Sequence, residues 1–344
     1  MGRPVSPGPG VAIVGCGLIG RKRASALGPA RLVACADAVP ERATALARES
    51  SGARVVDWRD AVADPAVDLV IVATTNDALV SVACAALESG KDVLVEKPAA
   101  RTAKELDEIA ERAQASRRLV RVGFNHRYHP ALQQARQLVD AGEIGELMFV
   151  RGRYGHGGRL GYEREWRANP IRSGGGELID QGVHLIDLAR WFLGPFDTIE
   201  GSAHTYFWNM PVDDNAFLRL VTARGQTAFL HASCTEWKNL FSLEMYGKVG
   251  KLHIEGLGGS YGVERLVHYR MRPEMGPPDT TAWEYPHPDG SWQREFAEFL
   301  DDIALRRPPD PGLDAARAAL EVVETVYARS GYQKVAAAAG RSQP

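Results

Sequence analysis

The run Val11-Ala12-Ile13-Val14 passes directly into Gly15-Cys16-Gly17-Leu18-Ile19-Gly20, and this junction restricts the fold more than any other stretch. An apolar strand followed by G-x-G-x-x-G and a helix needs glycine for three reasons. The turn is tight, the backbone must approach a ligand closely, and the helix must pack near the strand. The free amides at such a helix start, together with its dipole, favour a phosphate group. Asp37 closes the next apolar run, about 20 residues on, where a carboxylate accepts from ribose hydroxyls. A lone G-x-G-x-x-G is a weak signal. This context turns it into an expected dinucleotide site built on Gly15, Gly17, Leu18, Ile19, Gly20 and Asp37. Asp37 would repel a 2′-phosphate and is followed by Ala38 and Val39, so NAD is expected in preference to NADP, with Arg42 one helical turn further on.

Residues 11–123 continue the alternation. Apolar runs at 11–14, 32–36, 69–73, 93–95 and 119–122 read as strands buried on both faces. Helical patterns at 19–27, 41–49, 79–89 and 103–116 lie between them, which predicts a parallel sheet covered by helices. After residue 123 the pattern changes. A helix at 129–141 and a strand at 147–154 precede a Gly- and Arg-rich loop. Strand-like runs then follow at 198–208, 216–222, 227–235, 241–246, 251–255 and 265–271 with few helices between them, so this sheet is expected to be mostly antiparallel. The Pro-rich stretch 273–288 reads as irregular, and helices at 292–306 and 313–330 come last. The expected architecture is α/β: a Rossmann domain over 9–123, then an α/β domain over 124–344 on a large, mostly antiparallel open sheet.

Composition narrows the class. With 344 residues the chain can fill two domains. Net charge is −2, with no basic cluster, which argues against nucleic acid or anionic membrane as a partner. No apolar run nears the ~20 residues of a membrane span. Cys16, Cys35, Cys84 and Cys234 show no C-x-x-C spacing, which suits reduced thiols in a cytoplasm. The N-terminal MGRPVS fits a loose myristoylation pattern, but its prolines and the absence of an apolar core favour a plain leader.

Two stretches carry candidate chemistry. GGGELIDQGVHLIDLARWFLG, residues 174–194, reads as a helix started by glycines and ended by Gly194 and Pro195. At 100° per residue Leu178, Leu185, Ile186, Ala189, Phe192 and Leu193 share one face, and Glu177, Asp180, His184 and Asp187 share the other. Asp180 and His184 are four apart and therefore neighbours, and a carboxylate beside an imidazole fixes its tautomer and raises its basicity. Taken alone, such a face is more often solvated than catalytic. The second stretch is Glu96-Lys97-Pro98, at the C-terminal end of the 93–95 run, where ligands of an open parallel sheet sit. A lysine there can polarise a carbonyl or relay a proton.

GCGLIG, then VATTNDALVSVACAALESGKDVLVEKPAA, GFNHRYHPA and SGGGELIDQGVHLIDLARWFLG, in this order and spacing, resemble the Gfo/Idh/MocA family of oxidoreductases, with REFAEFLDDI and GLDAARAALEVVETVYARSG fitting its closing helices. The resemblance implies a catalytic set of Lys97, Asp180 and His184, and a Lys97–Pro98 bond that is often cis. It also implies an open sheet that often carries an oligomer interface, hence a homodimer or homotetramer. Thr74, Asn76, Glu96 and Lys97 join the expected cofactor contacts. One departure stands at Ala73-Thr74-Thr75-Asn76-Asp77-Ala78-Leu79, where the family commonly has A-T-P-N-x-x-H.

The implied reaction moves hydride between NAD and a secondary alcohol or ketone of a sugar. Polar and aromatic residues expected to meet the substrate are Asn125, Arg127, Tyr128, Tyr154, Trp166, Arg167 and Trp237. The Arg-rich 151–172 loop tilts the expectation toward a phosphorylated or nucleotide-activated sugar. The alternatives are a cyclitol (inositol) or free-sugar dehydrogenase, or an epimerase that retains its NAD. Two rival classes are a metal enzyme using the Glu177/Asp180/His184/Asp187 face and a sensor of NAD or sugar; neither the dinucleotide fingerprint nor the resemblance calls for a metal, and Lys97, Asp180 and His184 argue for turnover.

Overall fold

A computed structural model describes residues 8–50 and 52–332. The N-terminal pattern at residues 1–6 and the Ala-rich tail after Lys334 lie outside them. The described chain forms two compact units. One comprises residues up to Gly123 together with Trp292–Arg317; the other comprises Phe124–Ser291 and residues from Ala318 on.

In the first unit β1 (Gly10–Val14), β2 (Arg31–Ala36), β3 (Arg54–Val55), β4 (Leu69–Val72), β5 (Asp92–Glu96) and β6 (Val120–Gly123) pair in parallel in the order β3-β2-β1-β4-β5-β6. This is the doubly wound order in which ligands sit beyond the strand C-termini at the reversal point. The helices are α1 (Leu18–Ser25), α2 (Pro40–Glu49), α3 (Trp58–Ala63), α4 (Asn76–Glu88) and α5 (Glu105–Ser116). Strands β1 and β4 are buried along their whole length, as their unbroken apolar runs require. The expected strands and helices are all present, while β3 and α3 are additions. β3 has two exposed residues, and α3 takes its start from Asp57, whose carboxylate accepts from the Arg59 amide at 2.9 Å. Phe296 and Phe299, from far down the chain, complete the core around Ile13, Leu46 and Ile71.

The second unit holds α6 (Pro130–Asp140), β7 (Leu147–Gly155), α7 (Pro170–Ser173), α8 (Val183–Leu193), β8 (Thr198–His204), β9 (Asn215–Val221), β10 (Thr227–Ser233), β11 (Leu240–Gly247), β12 (Gly250–Glu255), β13 (Glu264–Arg270) and β14 (Asp279–Tyr285). They build an eight-stranded sheet in the order β14-β13-β12-β11-β7-β10-β9-β8. Only β7 and β10 pair in parallel. Alternate residues of β9 and β10, among them Leu218, Leu220 and Leu230, are buried, whereas Phe217 and Phe229 are exposed. Leu185 of α8 lies against this inner face, where Gly152 of β7 leaves room: a Cβ there would sit 3.2 Å from Leu185 and 3.1 Å from Leu230. The last two helices are α9 (Ser291–Leu305) and α10 (Leu313–Ser330). Two expectations are corrected. Residues 279–285 form β14 inside the stretch read as irregular, and the strand beginning at Thr198 stops at His204. Among the described residues no helix is long and apolar enough to cross a membrane.

Candidate functional site

In the first unit the glycine loop has the shape a pyrophosphate needs. Gly15 has φ +96°, and a Cβ there would lie 2.3 Å from the Ala73 carbonyl oxygen; a Cβ on Gly20 would lie 2.0 Å from that of Gly15. A Cβ on Gly17 would meet nothing within 4 Å, so the face of the loop at α1 is open to a ligand. Leu18, the first residue of α1, is 73% exposed. Asp37 is fixed at the end of β2, with Oδ2 accepting from the Cys16 amide at 2.6 Å and Oδ1 from the Val39 amide at 2.8 Å. These residues fit a dinucleotide. Thr74 and Asn76 follow β4, and Glu96 ends β5, so all lie at strand C-termini. The Lys97–Pro98 bond is cis.

Glu96 is held by a buried ion cluster. Arg23 of α1, 1% exposed, donates from Nε to Glu96 at 2.6 Å and from Nη1 to Glu295 of α9 at 2.5 Å. Trp292 lies over its guanidinium at 4.5 Å. Gly123 is required here, since a Cβ would sit 2.7 Å from Arg23 and 2.8 Å from Glu96. Burial pushes the Glu295 carboxyl up to about 7, against the pull of Arg23 and with the push of Glu96.

In the second unit the 174–194 stretch is not one regular helix. After α7 and Gly174 (φ +81°) comes a π-helical turn, Leu178–Gly182, and then α8. Buried Asp213 organises this start. It accepts from the amides of Gly176 (2.9 Å) and Leu178 (2.8 Å) and from the Tyr327 hydroxyl (2.6 Å). Wide π turns of this kind occur frequently at functional sites.

Most of the polar face is buried, contrary to the solvated reading: Glu177 is 1%, His184 4% and Asp187 1% exposed, while Asp180 is half-buried. The His126 ring stacks on His184 at 3.7 Å and 21°. Phe124 (5.9 Å) and Tyr154 (6.1 Å) approach the same imidazole edge-on. Arg167 donates from Nε to Asp180 at 2.8 Å, and the Asp180 charge keeps the guanidinium above its ordinary value. Arg127 forks onto Asp187 with contacts of 2.8 and 2.6 Å. Glu177 faces the Tyr162 hydroxyl at 3.5 Å and His156 Nε2 at 3.6 Å. Burial pushes the Tyr154 phenol well up, with Tyr261 beside it, and pulls His156 down.

Of the expected substrate residues, Tyr154 and Arg167 therefore meet the cluster around Asp180 and His184. Arg127 is committed to Asp187. Asn125 donates to the Ser291 hydroxyl at 2.9 Å, Tyr128 is buried, Trp166 stacks under Arg167 at 4.7 Å, and Trp237 stands 66% exposed in the β10–β11 loop. Sequence reasoning passed over His156 and Tyr261 as site candidates. Glycines flank His156 and Gly262 follows Tyr261, but their convergence is visible only once β7 is paired. Among the described residues no group of three His, Cys, Asp or Glu side chains is placed to hold a metal ion.

A doubly wound dinucleotide-type unit joined to an open-sheet unit with a buried carboxylate–imidazole cluster defines a class of two-part oxidoreductase folds. Residues 10–124 match the family model for the oxidoreductase family with NAD-binding Rossmann fold, and residues 132–253 match that for the GFO/IDH/MocA C-terminal domain. The chain belongs to the Gfo/Idh/MocA oxidoreductase family. Levoglucosan dehydrogenase of Pseudarthrobacter phenanthrenivorans is 32% identical over 196 residues, covering 55% of this chain and 50% of the relative. Inositol 2-dehydrogenase 2 of Saccharopolyspora erythraea is 33% identical over 201 residues, covering 57% and 56%. The aligned region thus spans about half the length of these curated relatives. The fold resembles levoglucosan dehydrogenase in complex with NADH (TM-score 0.83, 23% identity, 94% of this chain and 98% of that one) and GenD2 from gentamicin A biosynthesis in complex with NAD (TM-score 0.81, 23% identity, 99% and 97%).

Proposed function

We propose that this protein is an NAD-dependent dehydrogenase of a non-phosphorylated sugar or cyclitol. The observation that carries this reading is the pairing of its arginines. Arg167 is engaged by Asp180 and Arg127 by Asp187, while Arg159 and Arg164 of the same loop face Glu165 and Glu163. A phosphate needs cations to meet it; a cluster of carboxylates, imidazoles and phenols suits neutral hydroxyls. The relatives named as levoglucosan and inositol dehydrogenases support this choice over the phosphorylated or nucleotide-activated sugar that the Arg-rich loop suggested.

NAD held by the glycine loop and Asp37 supplies the hydride acceptor. His184 takes the hydroxyl proton of the substrate carbon, and its enclosure by His126, Phe124 and Tyr154 keeps bulk water from the imidazole. Asp180 stabilises the charged imidazole, and Arg167 sets the orientation of that carboxylate. The family resemblance gives Lys97, just after β5, a catalytic role as well. The exposed face of the eight-stranded sheet, with Phe217, Phe229 and Met148, carries self-association into a dimer or tetramer, and light scattering of a Phe229→Glu variant tests this.

The test of the activity is NADH absorbance with free sugars, inositols, sugar phosphates and nucleotide sugars. Neutral polyols are expected to be oxidised, and His184→Ala and Lys97→Ala each to lose roughly 100-fold or more in kcat. Preference for phosphorylated substrates, or near wild-type turnover in both variants, overturns the reading.

A further inference from the structure

The second unit displays three large aromatic side chains in loops: Tyr206 (65% exposed), Phe207 (56%) and Trp237 (66%). Single exposed aromatics need no explanation, but these are held in place. Asp214, fully buried at the start of β9, accepts from three successive amides, those of Tyr206 (2.9 Å), Phe207 (2.7 Å) and Trp208 (3.0 Å). The Trp208 indole nitrogen donates to the Cys234 carbonyl at 3.0 Å, fastening the same loop to the end of β10. Trp237 has φ +58°, a left-handed conformation that a non-glycine residue keeps only when its surroundings impose it. The Phe207 ring meets the Trp237 ring edge to face, 4.8 Å apart at 89°. The protein thus spends a buried carboxylate and a strained backbone to hold two aromatic faces out toward solvent.

This ledge is continuous with the polar cluster. Trp208 packs on Tyr162 at 5.5 Å, and the Tyr162 hydroxyl lies 3.5 Å from Glu177. On the other side the Glu236 amide donates to the His156 carbonyl at 3.1 Å, and the His156 ring faces Glu177. The two glycines after His156 make the approach possible. A Cβ on Gly157 would lie 2.9 Å from the Trp237 backbone, and one on Gly158 would lie 2.3 Å from the Trp208 ring. The ledge is short, rigid and edged by polar residues (Glu236, Lys238, Asn239). A pyranose has matching chemistry, with an apolar C–H face that stacks on an aromatic ring and a hydroxyl rim that hydrogen-bonds at its border. A second protein copy would instead need a broad apolar area of several hundred Å².

We propose that Phe207 and Trp237 form a second sugar subsite, so that the substrate is a glycoside whose one ring is oxidised at the Asp180/His184 cluster while the other stacks on the ledge. This rests on the dehydrogenase reading above and assigns it a substrate of at least two rings.

The experiment uses the full chain and two readouts. Intrinsic tryptophan fluorescence is titrated with glucose, myo-inositol, maltose, cellobiose and trehalose, and NADH formation is followed with the same panel. At least one disaccharide is expected to bind tenfold or more tightly than either monocyclic probe. Trp237→Ala should abolish that advantage, Trp237→Tyr should restore most of it because it keeps a stacking ring, and Phe207→Ala should remove a part. Circular dichroism and light scattering accompany Trp237→Ala, which removes a ring from a strained loop, and the Tyr variant controls for folding. Equal affinity for one-ring and two-ring probes, absence of saccharide binding, or a Trp237→Ala variant that changes oligomeric state while keeping the disaccharide preference each overturns the subsite. Disaccharide binding that depends on Trp237 without NADH formation upholds the subsite and overturns the dehydrogenase reading instead.

Discussion

Glu295→Gln isolates the energetic cost of the buried ion cluster. Glu295 is fully buried, shares Arg23 with Glu96, and has its carboxyl raised from 4.5 to about 7, first by burial and then by Glu96, with Arg23 and Arg121 opposing. A carboxyl raised in the folded state binds a proton that the unfolded chain has already released, so stability falls as pH rises from about 4.5 toward 7. At 1.36 kcal/mol for each unit between those two values, the loss is about 3 kcal/mol, complete above pH 8. Glutamine resembles the protonated acid and does not titrate. At pH 5 the two proteins should therefore melt within a degree or two of each other. At pH 8.5 the variant should melt roughly 5–10 °C higher, from the usual few degrees per kcal/mol for a chain of this size. Differential scanning calorimetry from pH 5 to 8.5 measures this. A difference in Tm that does not change with pH refutes the reasoning, because it would place the Glu295 proton outside the titration range.

Gly17→Val should leave Tm unchanged within about a degree, since a Cβ there has no protein atom within 4 Å, yet weaken NADH about tenfold or more by fluorescence titration, because it would occupy the space above the helix start. Asp37→Ala should relax the preference for NAD over NADP, measured as the ratio of the two kcat/KM values; an unchanged ratio removes Asp37 from cofactor selection.

How much of this was legible in the sequence depends on the range of the interaction. β1, β4 and β5 are continuous apolar runs buried on both faces, and the local pattern alone locates them. β14 reads Asp-Thr-Thr-Ala-Trp-Glu-Tyr, is mostly exposed, and exists because β13 offers it an edge; no local periodicity encodes that. The helix carrying Asp180 and His184 was visible as an amphipathic stretch. The π turn was not, because a wider turn leaves the apolar spacing of α8 intact and is imposed by Asp213 from another strand connection. The polar face read as solvated for a related reason: Arg127 and His126, which cover Asp187 and His184, come from a segment about 60 residues earlier in the chain. The resemblance named Lys97, Asp180 and His184, whereas the arginine pairs that speak against a phosphate had to await the folded chain.

The helix α9 gives the chain an order of assembly. The first unit has its six strands on hand once Gly123 is made, but Phe296 and Phe299 belong to its core, and Glu295 and Asp302 are the partners of the buried Arg23 and Arg121. Emerging from a ribosome, this unit would present two charged holes and an open hydrophobic seam until another 180 or so residues had been synthesised, at ~5–20 residues per second. A fragment cut after Gly123 inherits the same wound permanently. A usable stand-alone cofactor module would have to be spliced, with Trp292–Arg317 joined directly behind Gly123, so that a late-made segment becomes part of the first fold.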